Sequence, residues 1–269
     1  MGEDRSRPRA EIGAVLSSRP IEVDAPTPEG AGAFYGRRKG KQLRPGQHRL
    51  VEELLPRLRI ESASGPLDPA SLFPFVPSSI TLEIGFGGGE HLATRARAHP
   101  DVGFIGCEPF VNGMAKLLAA IDDGKLRNIR LWDQDATGLI ARLPEGSIDQ
   151  VYLLYPDPWP KRRQRKRRFI SDEHLASLAR VMREGAELRF ATDIDDYAGW
   201  ALARVLRSSS FTWKAERPDD WRQPWTGWPS TRYEAKARRE GRGSAYLTFT
   251  RAYDGACSSS EPRSKSPAL

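Results

Sequence analysis

The chain has 269 residues, a mass of 30.1 kDa, a formal net charge of +7 and a pI near 9.6. Hydrophobic residues make up 39% of it, which excludes a globally disordered protein. No run of about 18 apolar residues is present, and two cysteines are too few for a disulfide framework or a zinc site. With no signal-peptide core near its N-terminus, we expect a cytoplasmic enzyme or binding protein without a membrane span.

Two terminal segments are predicted to be disordered tails. Residues 1–33 hold four prolines and no aromatic residue, and residues 254–269 hold five serines, two prolines and no aromatic residue. The remaining segment, residues 34–253, is long enough for one well-cored domain. Its first part, residues 34–80, precedes the first predicted strand and is interpreted as an extension.

The apolar patterns predict strands and helices that alternate along the chain. The strands are predicted over Thr81–Phe86, Val102–Glu108, Asn128–Asp135, Ile148–Tyr155, Ala186–Asp193, Phe211–Arg217 and Ser244–Arg251. The helices are predicted near Leu50–Leu58 and over Glu90–His99, Phe110–Asp122, Thr137–Leu143, Asp172–Glu184 and Asp195–Leu206. No helix is predicted between the last two strands. This alternation predicts an α/β fold with a seven-stranded, mostly parallel sheet, helices on both faces and one antiparallel edge strand.

The positive charge is concentrated in two segments. Residues 37–49 carry six basic residues and no acid, and residues 161–168 carry seven basic residues out of eight. Together they exceed the net charge of the whole chain, so the rest is net acidic. Such focused charge is typical of a protein that binds a polyanion, although a solvated basic loop is the simpler alternative. The run at 161–168 lies mid-chain, where like charges cost stability without a partner, and this favours nucleic acid.

Five acids fall at predicted strand ends: Glu83, Glu108, Asp135, Asp157 and Asp193. Ligands of such sheets bind beyond the carboxyl ends of the strands, and the turn Gly85–Gly89 would let backbone approach a ligand closely. Any one of these acids would most simply be a helix N-cap. Together they favour a cationic or hydroxyl-rich ligand. Carboxylates would repel the pyrophosphate of a dinucleotide, whereas S-adenosylmethionine brings a sulfonium, an ammonium and a ribose diol.

The string Pro156–Lys161 (PDPWPK) is the most specific in the chain. Its three prolines hold a turn rigid at the end of a central strand, where Asp157 would meet a substrate at fixed geometry. Trp159 is a candidate for stacking on an extruded base, the alternative being a structural Pro-rich turn with a buried Trp. The adjoining basic run favours a base reader beside a phosphate clamp.

These motifs together resemble the tRNA (guanine-N7)-methyltransferases, over about residues 34–251. The resemblance rests on five strings: Leu82-Glu-Ile-Gly-Phe-Gly, Gly106-Cys-Glu108, Pro156-Asp-Pro-Trp-Pro-Lys161 with its basic run, Ala191-Thr-Asp193 and Thr231-Arg-Tyr-Glu234. It implies a Rossmann-like class I methyltransferase domain that uses S-adenosylmethionine. It also implies transfer of a methyl group to guanine N7 in tRNA, at position 46 of the variable loop in bacteria.

The resemblance further implies roles for individual residues. The expected catalytic residue is Asp157. The expected cofactor positions are Glu83, Gly85, Gly87, Glu108, Asp135 and again Asp157. The expected substrate positions are Lys161, Asp193, Thr231, Arg232, Tyr233 and Glu234. The expected RNA contacts are Arg163, Gln164, Arg165, Lys166, Arg167 and Arg168, with Gln164 standing where many members have His.

The chemistry of guanine N7 asks little of acid–base catalysis. N7 holds an in-plane lone pair and no proton, so it needs no general base to attack a sulfonium methyl group. We therefore interpret Asp157 as an orienting and electrostatic residue. Asp157 or Asp193 could accept the guanine N1–H and N2–H groups. No metal is implied, because no His, Cys and carboxylate cluster has ligand spacing.

Three other functions stay open from the sequence. A nicotinamide-dependent oxidoreductase could use a similar sheet, but the basic run and the acids disfavour it. An RNA-binding protein without activity would also explain the basic run. A methyltransferase acting on an exocyclic amine is suggested by Asp-Pro-Trp, although the second adjacent proline of that motif is missing. The protein is expected to be a monomer or a homodimer.

Overall fold

The computed structural model describes residue 36 and residues 38–253. The two predicted tails, residues 1–33 and 254–269, lie outside the described residues. The predicted methyltransferase domain, residues 34–253, falls almost wholly within them.

A seven-stranded sheet forms the centre of the molecule. Its strands are β1 (Ile80–Ile84), β2 (Gly103–Cys107), β3 (Ile129–Trp132), β4 (Ile148–Leu154), β5 (Met182–Thr192), β6 (Phe211–Trp213) and β7 (Ala245–Arg251). They lie in the order β3-β2-β1-β4-β5-β7-β6. Strands β1 to β5 pair in parallel, whereas β7 pairs antiparallel with both β5 and β6. This confirms the predicted fold class. Antiparallel pairing is confined to one edge, where β7 lies one strand in and β6 is outermost.

Helices connect and cover the strands. They are α1 (Pro45–Glu53), α2 (Leu55–Leu58), α3 (Glu90–Ala98), α4 (Val111–Gly124), α5 (Ala136–Arg142), α6 (Asp172–Val181), α7 (Asp195–Val205), α8 (Asp219–Arg222) and α9 (Arg232–Arg239). Apolar side chains of α1 to α4 bury one face of the sheet, and those of α5, α6 and α7 bury the other. Within the described residues, no helix is long and apolar enough to cross a membrane.

Strand β4 shows why its sequence is a nearly continuous apolar run. Val151 and Leu153 point to the face covered by α5 to α7, while Tyr152 and Leu154 point to the opposite face. All four side chains are buried. A central parallel strand is covered on both faces, so both of its side-chain sets must be apolar.

Two predictions of secondary structure are wrong. The helix predicted over Asp172–Glu184 ends at Val181, because Met182 already pairs with Ile148 in the sheet. Met182 is buried in the strand, and an apolar residue at this position also continues the apolar face of the predicted helix. The apolar pattern therefore cannot distinguish a helix from a strand here. The segment between β6 and β7 was predicted to lack helices but contains α8 and α9. Most residues of these helices are polar, and α9 buries only Glu234 and Ala237.

The turn after β1 brings backbone into the centre of the carboxyl edge. Gly85, Gly87 and Gly89 all have positive φ, and Gly89 is the N-cap of α3. A Cβ on Gly113 would clash with the carbonyl oxygen of Gly87. Helix α4 therefore packs directly against this turn and fixes its position. The turn lies beside the boundary between β1 and β4, where the order of strands in the sheet reverses.

Candidate active site

A cavity of about 730 Å³ opens at the carboxyl ends of β1, β2, β3 and β4. Five of the predicted cofactor positions line it: Gly85, Gly87, Glu108, Asp135 and Asp157. The walls between them are largely apolar and include Ile84 and Leu153. The fold thus brings together predicted cofactor positions that are up to 72 residues apart in the chain.

Glu108 joins the Gly-rich turn to the start of α4. Its Oε2 accepts a hydrogen bond from Gly87 N at 2.7 Å, and its Oε1 accepts one from Phe110 N at 3.0 Å. The residue is buried, and burial raises the pKa of its carboxyl group, an effect that the nearby charge of Asp157 reinforces. Each oxygen keeps a lone pair for a further donor, as two ribose hydroxyls would require.

Asp135 caps α5, the simpler role considered for a strand-end acid. Its Oδ1 accepts hydrogen bonds from the backbone and the hydroxyl of Thr137. Its carbonyl oxygen accepts one from the indole of Trp132 at 2.8 Å. Among the described residues these side-chain bonds all use Oδ1, so Oδ2 remains for a ligand.

The shape and chemistry of this cavity fit S-adenosylmethionine. A Cβ on Gly85 would meet open space, so backbone and not a side chain borders the cavity there. The carboxylates of Glu108, Asp135 and Asp157 line the cavity at the strand ends, and these acceptors are suited to hydroxyl and ammonium groups and unsuited to a pyrophosphate. Within the described part of the chain, no group of three His, Cys, Asp or Glu could hold a metal ion.

Glu83 is not among the described residues that line the cavity. Its Oε2 is 2.7 Å from Nδ1 of His91 in α3, and both side chains are almost inaccessible to solvent. The ring of His91 packs against Tyr152 and Trp228. The role of Glu83 as a cofactor position stays a prediction, and this buried pair gives it a structural function between β1 and α3.

Asp157 is carried by a strained turn at the end of β4. Tyr155 and Trp159, on either side of it, have φ values of +48° and +41°, which bulky residues rarely adopt. The side chain of Asp157 lies at the cavity, where partial burial raises the pKa of its carboxyl group. The predicted rigid turn is thus present, with backbone strain in addition to its prolines.

Arg168 holds this turn from behind and is not at the surface. Its Nε donates to the carbonyl oxygen of Pro158 at 2.8 Å, and its Nη2 is paired with Asp196 in α7. Its guanidinium lies over the rings of Tyr197 and Trp200, and the residue is 1% exposed. The role of Arg168 as an RNA contact stays a prediction, and these contacts give the residue a structural function behind the turn that carries Asp157.

The rest of the basic run forms a 3₁₀ helix, Arg162–Arg167. Arg163 and Lys166 are exposed, as an RNA contact requires, and Gln164 is half-buried. Lys161, a predicted substrate position, is exposed as well. Arg165 pairs with Asp196 at 2.7 Å. The guanidinium of Arg167 lies 4.9 Å from the centre of the Trp159 ring, and both residues line the cavity. The basic run is therefore a folded segment whose last residues line the cavity.

Helix α9 carries three of the four predicted substrate residues of its segment, and Thr231 caps it. The hydroxyl of Thr231 accepts a hydrogen bond from Glu234 N. Tyr233 lines the cavity and is 43% exposed, and its hydroxyl accepts a hydrogen bond from Arg232 at 3.1 Å. Both side chains lie against Gly87. The helix thus reaches across to the Gly-rich turn.

Glu234 is completely buried. Its carboxylate accepts hydrogen bonds from the indole of Trp228 at 2.7 Å and the hydroxyl of Tyr246 at 2.8 Å, and it pairs with Arg238. Its predicted substrate contact would need one of these bonds to be replaced. The observed contacts instead fasten α9 to β7.

Asp193 follows β5 and is held by a residue that the sequence did not single out. Oδ2 of Asp193 accepts a hydrogen bond from Nε of Arg242 at 2.8 Å and forms an ion pair with its Nη2 at 2.7 Å. This pairing raises the pKa of Arg242. Arg242 thus holds Asp193 through Oδ2 and leaves Oδ1 for a base.

The chain matches a family model described as "Putative methyltransferase" over residues 77–247. It is also 58% identical to the tRNA (guanine-N(7)-)-methyltransferase of Agrobacterium fabrum, over 81% of this chain and 95% of that protein. Identity to the same enzyme of Rhizobium meliloti is 56%, over 82% and 95% of the two chains. For Nitrobacter hamburgensis it is 54%, over 84% and 89%.

The chain belongs to the tRNA (guanine-N7)-methyltransferase family. This confirms the family predicted from the sequence and the prediction that the protein is a methyltransferase. The nicotinamide-dependent oxidoreductase considered from the sequence is excluded by this membership.

In this tRNA (guanine-N7)-methyltransferase family member, the basic extension also reaches the cavity. The side chain of Asn112, in α4, accepts a hydrogen bond from Gly40 N at 2.7 Å and donates one to the carbonyl oxygen of Lys41 at 2.6 Å. Gly36 lines the cavity. Sequence reasoning did not single out Asn112, and nothing in its local pattern distinguishes it from any polar residue in the first turn of a helix.

Neutralising the exposed basic residues of the 3₁₀ helix tests whether they contact phosphate. Changing Arg162, Arg163 and Lys166 together to Gln should weaken tRNA binding and lower the slope of log affinity against log salt by roughly two to three units. The measurement is a tRNA binding titration at several salt concentrations. Arg165 and Arg168 stay unchanged because both are paired with Asp196.

A matched control for this variant neutralises three exposed basic residues at the opposite, amino edge of the sheet: Arg97, Lys125 and Arg127. It removes the same charge from the whole protein. An equal loss of salt dependence in both variants would show a general charge effect and contradict a phosphate-binding 3₁₀ helix.

The raised pKa of Glu108 predicts a pH dependence of cofactor binding. The ionised carboxylate accepts ribose hydroxyls better than the protonated acid does, so affinity should fall as the pH drops through this raised pKa and level off above it. Calorimetric titration with S-adenosylmethionine from weakly acidic to neutral pH measures this. Glu108→Gln should bind more weakly and lose most of the dependence, and a wild-type profile in that variant would refute the assignment.

Proposed function

We propose that this protein transfers a methyl group from S-adenosylmethionine to N7 of a guanine in tRNA, forming 7-methylguanosine, at position 46 of the variable loop. The observation that carries the proposal is one cavity in which three carboxylates meet a wall of basic residues. The relatives named above are tRNA (guanine-N(7)-)-methyltransferases, which supports tRNA as the partner and the cytoplasm as the compartment.

Cofactor binding is assigned to the carboxyl ends of β1, β2 and β3. Glu108 would accept the ribose hydroxyls, Asp135 would face the adenine, and the backbone at Gly85 and Gly87 would border the remainder. When bound, S-adenosylmethionine supplies an electrophilic methyl group on a sulfonium. The protein residues then have to orient the guanine, exclude water and stabilise positive charge.

Asp157 is assigned the electrostatic part of this task. Guanine N7 carries no proton, so nothing has to be removed from it. Positive charge moves from sulfur to the purine during transfer, and a carboxylate on a rigid turn stabilises that charge without having to reorganise. The strained backbone at Tyr155 and Trp159 supports this assignment, because strain of this kind clusters at functional sites.

Base selection is assigned to Asp157 and Asp193. Guanine presents two donors, N1–H and N2–H, to an acceptor, whereas adenine presents an acceptor at N1. The carboxylate of Asp193 is held by Arg242 through Oδ2, so its Oδ1 would accept one of these guanine donors and Asp157 the other. Discrimination against adenine would then follow from unpaired polar groups in the complex.

The deciding experiment is a product analysis. Purified protein is incubated with S-adenosylmethionine and unmodified tRNA transcript, and the tRNA is digested to nucleosides and separated. We expect 7-methylguanosine and no other methylated nucleoside, and none from a transcript in which guanosine 46 is replaced by adenosine. A methylated exocyclic amine would favour the amino-methyltransferase alternative. Tight tRNA binding without any product would favour an inactive RNA-binding protein.

A further inference from the structure

Two tyrosine rings face each other in the wall of the cavity. Tyr155 comes from the end of β4 and Tyr233 from the start of α9. Their ring centroids are 6.5 Å apart, and their planes are inclined by 18°. Both residues line the cavity, together with Asp157. Two nearly parallel aromatic faces beside a catalytic carboxylate are the chemical elements of a base-stacking site.

Tyr155 is the fixed wall of this pair. Its hydroxyl is 3.0 Å from Oγ of Ser244, and its backbone N–H donates to the carbonyl oxygen of Ala191 at 2.8 Å. Its ring packs against the cluster of buried side chains that includes Tyr246. The left-handed backbone at Tyr155 is unfavourable for an aromatic residue and points to a functional reason for the orientation of its ring.

Tyr233 is the adjustable wall. It is 43% exposed, and its polar contact is with the neighbouring Arg232, which is itself partly exposed. A Cβ on Gly87 would lie 3.2 Å from the Tyr233 ring, so the ring rests directly on the Gly-rich turn. This places one wall of the pair against the cofactor side of the cavity.

Stacked rings lie about 3.4 Å apart, so a base between two rings needs roughly 7 Å between their planes. The centroids of Tyr155 and Tyr233 are 6.5 Å apart, so a base enters between the rings only when they separate further, and the more exposed Tyr233 is the ring that can move. Trp159, the candidate named from the sequence, is less suited because the guanidinium of Arg167 already lies over its ring.

We propose that Tyr155 and Tyr233 form a two-sided stacking site for the purine that is methylated. This inference rests on the proposed function, since it names how the same site holds its guanine. It also has a consequence for rate. A purine methylated at N7 is cationic, and the negative faces of two aromatic rings attract it more strongly than the neutral base. The sandwich therefore stabilises the transition state more than the bound substrate.

The first test compares leucine variants of the two rings. Tyr155→Leu and Tyr233→Leu should each lower kcat/KM for tRNA by roughly 5- to 150-fold, the range for losing one base–aromatic stack. Tyr155→Phe, which keeps the ring and loses the contact with Ser244, should recover most of the loss seen with leucine. Circular dichroism and the midpoint of urea unfolding, compared with wild type, report that the leucine variants are folded. Equal losses in Tyr155→Phe and Tyr155→Leu would overturn the stacking role.

The second test removes the base instead of the ring. Dissociation constants are measured for wild type and both leucine variants with intact transcript and with transcript that is abasic at the methylated position. If the rings stack on the base, the variants bind intact transcript more weakly than wild type and bind abasic transcript equally well. If the deficit persists on abasic transcript, the tyrosines only shape the protein and the proposal fails.

The two proposals fail in different ways. A wild-type protein that forms no 7-methylguanosine would refute the proposed function and this inference with it. A wild-type protein that forms 7-methylguanosine, beside leucine variants that keep its kcat/KM, would refute the stacking site alone.

Discussion

Replacing Asp157 with alanine is expected to lower the rate of methyl transfer by about 10²- to 10³-fold, to near or below detection, while tRNA binding largely persists. The carboxylate lies at the cavity on a turn held by prolines, by backbone strain and by Arg168. Its removal takes away stabilisation of positive charge during transfer but leaves the basic wall of the site in place. Single-turnover measurement at saturating tRNA and S-adenosylmethionine isolates this effect from binding.

Two companion variants sharpen the result. Asp157→Asn keeps the shape of the side chain and removes its charge, so it should be nearly as impaired as alanine if the role is electrostatic. Asp123→Ala removes an exposed acid of α4 and serves as a control for net charge. Turnover of Asp157→Ala comparable to wild type would refute the catalytic assignment.

Replacing Arg168 with methionine is expected to destabilise the fold and slow the reaction together. The variant removes the donor to the carbonyl oxygen of Pro158 and the buried partner of Asp196, which keeps its contact with Arg165. Removing one member of a buried ion pair costs several kcal/mol. Because water can still solvate the half-exposed Asp196, we expect the unfolding free energy to fall by about 3 kcal/mol, the lower end of that range. Urea denaturation measures the loss. The turn that carries Asp157 is also freed, so kcat should fall while cofactor affinity is retained.

Arg165→Met is the matched control for Arg168→Met. It removes a second guanidinium from the same carboxylate, but Arg165 lies nearer the surface and its pair should contribute less than 1 kcal/mol. If Arg168→Met were as stable as wild type and changed only the salt dependence of tRNA binding, Arg168 would be a phosphate contact after all.

The sheet and its crossover helices could be predicted because burial dictates their sequence patterns. A strand covered on both faces, such as β4, must be apolar throughout, and a covering helix must repeat its apolar residues every three or four positions. The predicted strand ends therefore placed Glu108, Asp135 and Asp157 at one edge of the sheet, and the structure confirms this position. The acids could be located because their position follows from topology alone.

The individual contacts of charged residues could not be predicted in the same way. Arg168 sits in a run of eight residues of which seven are basic, and nothing in the run separates the one buried guanidinium from its exposed neighbours. Glu234 similarly follows two polar or exposed residues, yet it is fully buried by Trp228 and Tyr246. Such burial depends on partners distant in the sequence, and only the folded chain identifies them.

The reversed direction of β7 has a consequence for how the activity of this fold can change over evolution. Because β6 runs parallel to the central strands and β7 runs against them, residues 214–244 leave and re-enter the sheet at the cavity edge. This segment carries α8 and α9 and connects two antiparallel strands, so it is not a parallel crossover. Its length and sequence can therefore vary while every parallel crossover keeps its register. A chain built in this way can exchange this connection, and with it Tyr233 and Arg242, while Glu108 and Asp135 stay in place at the ends of the central strands.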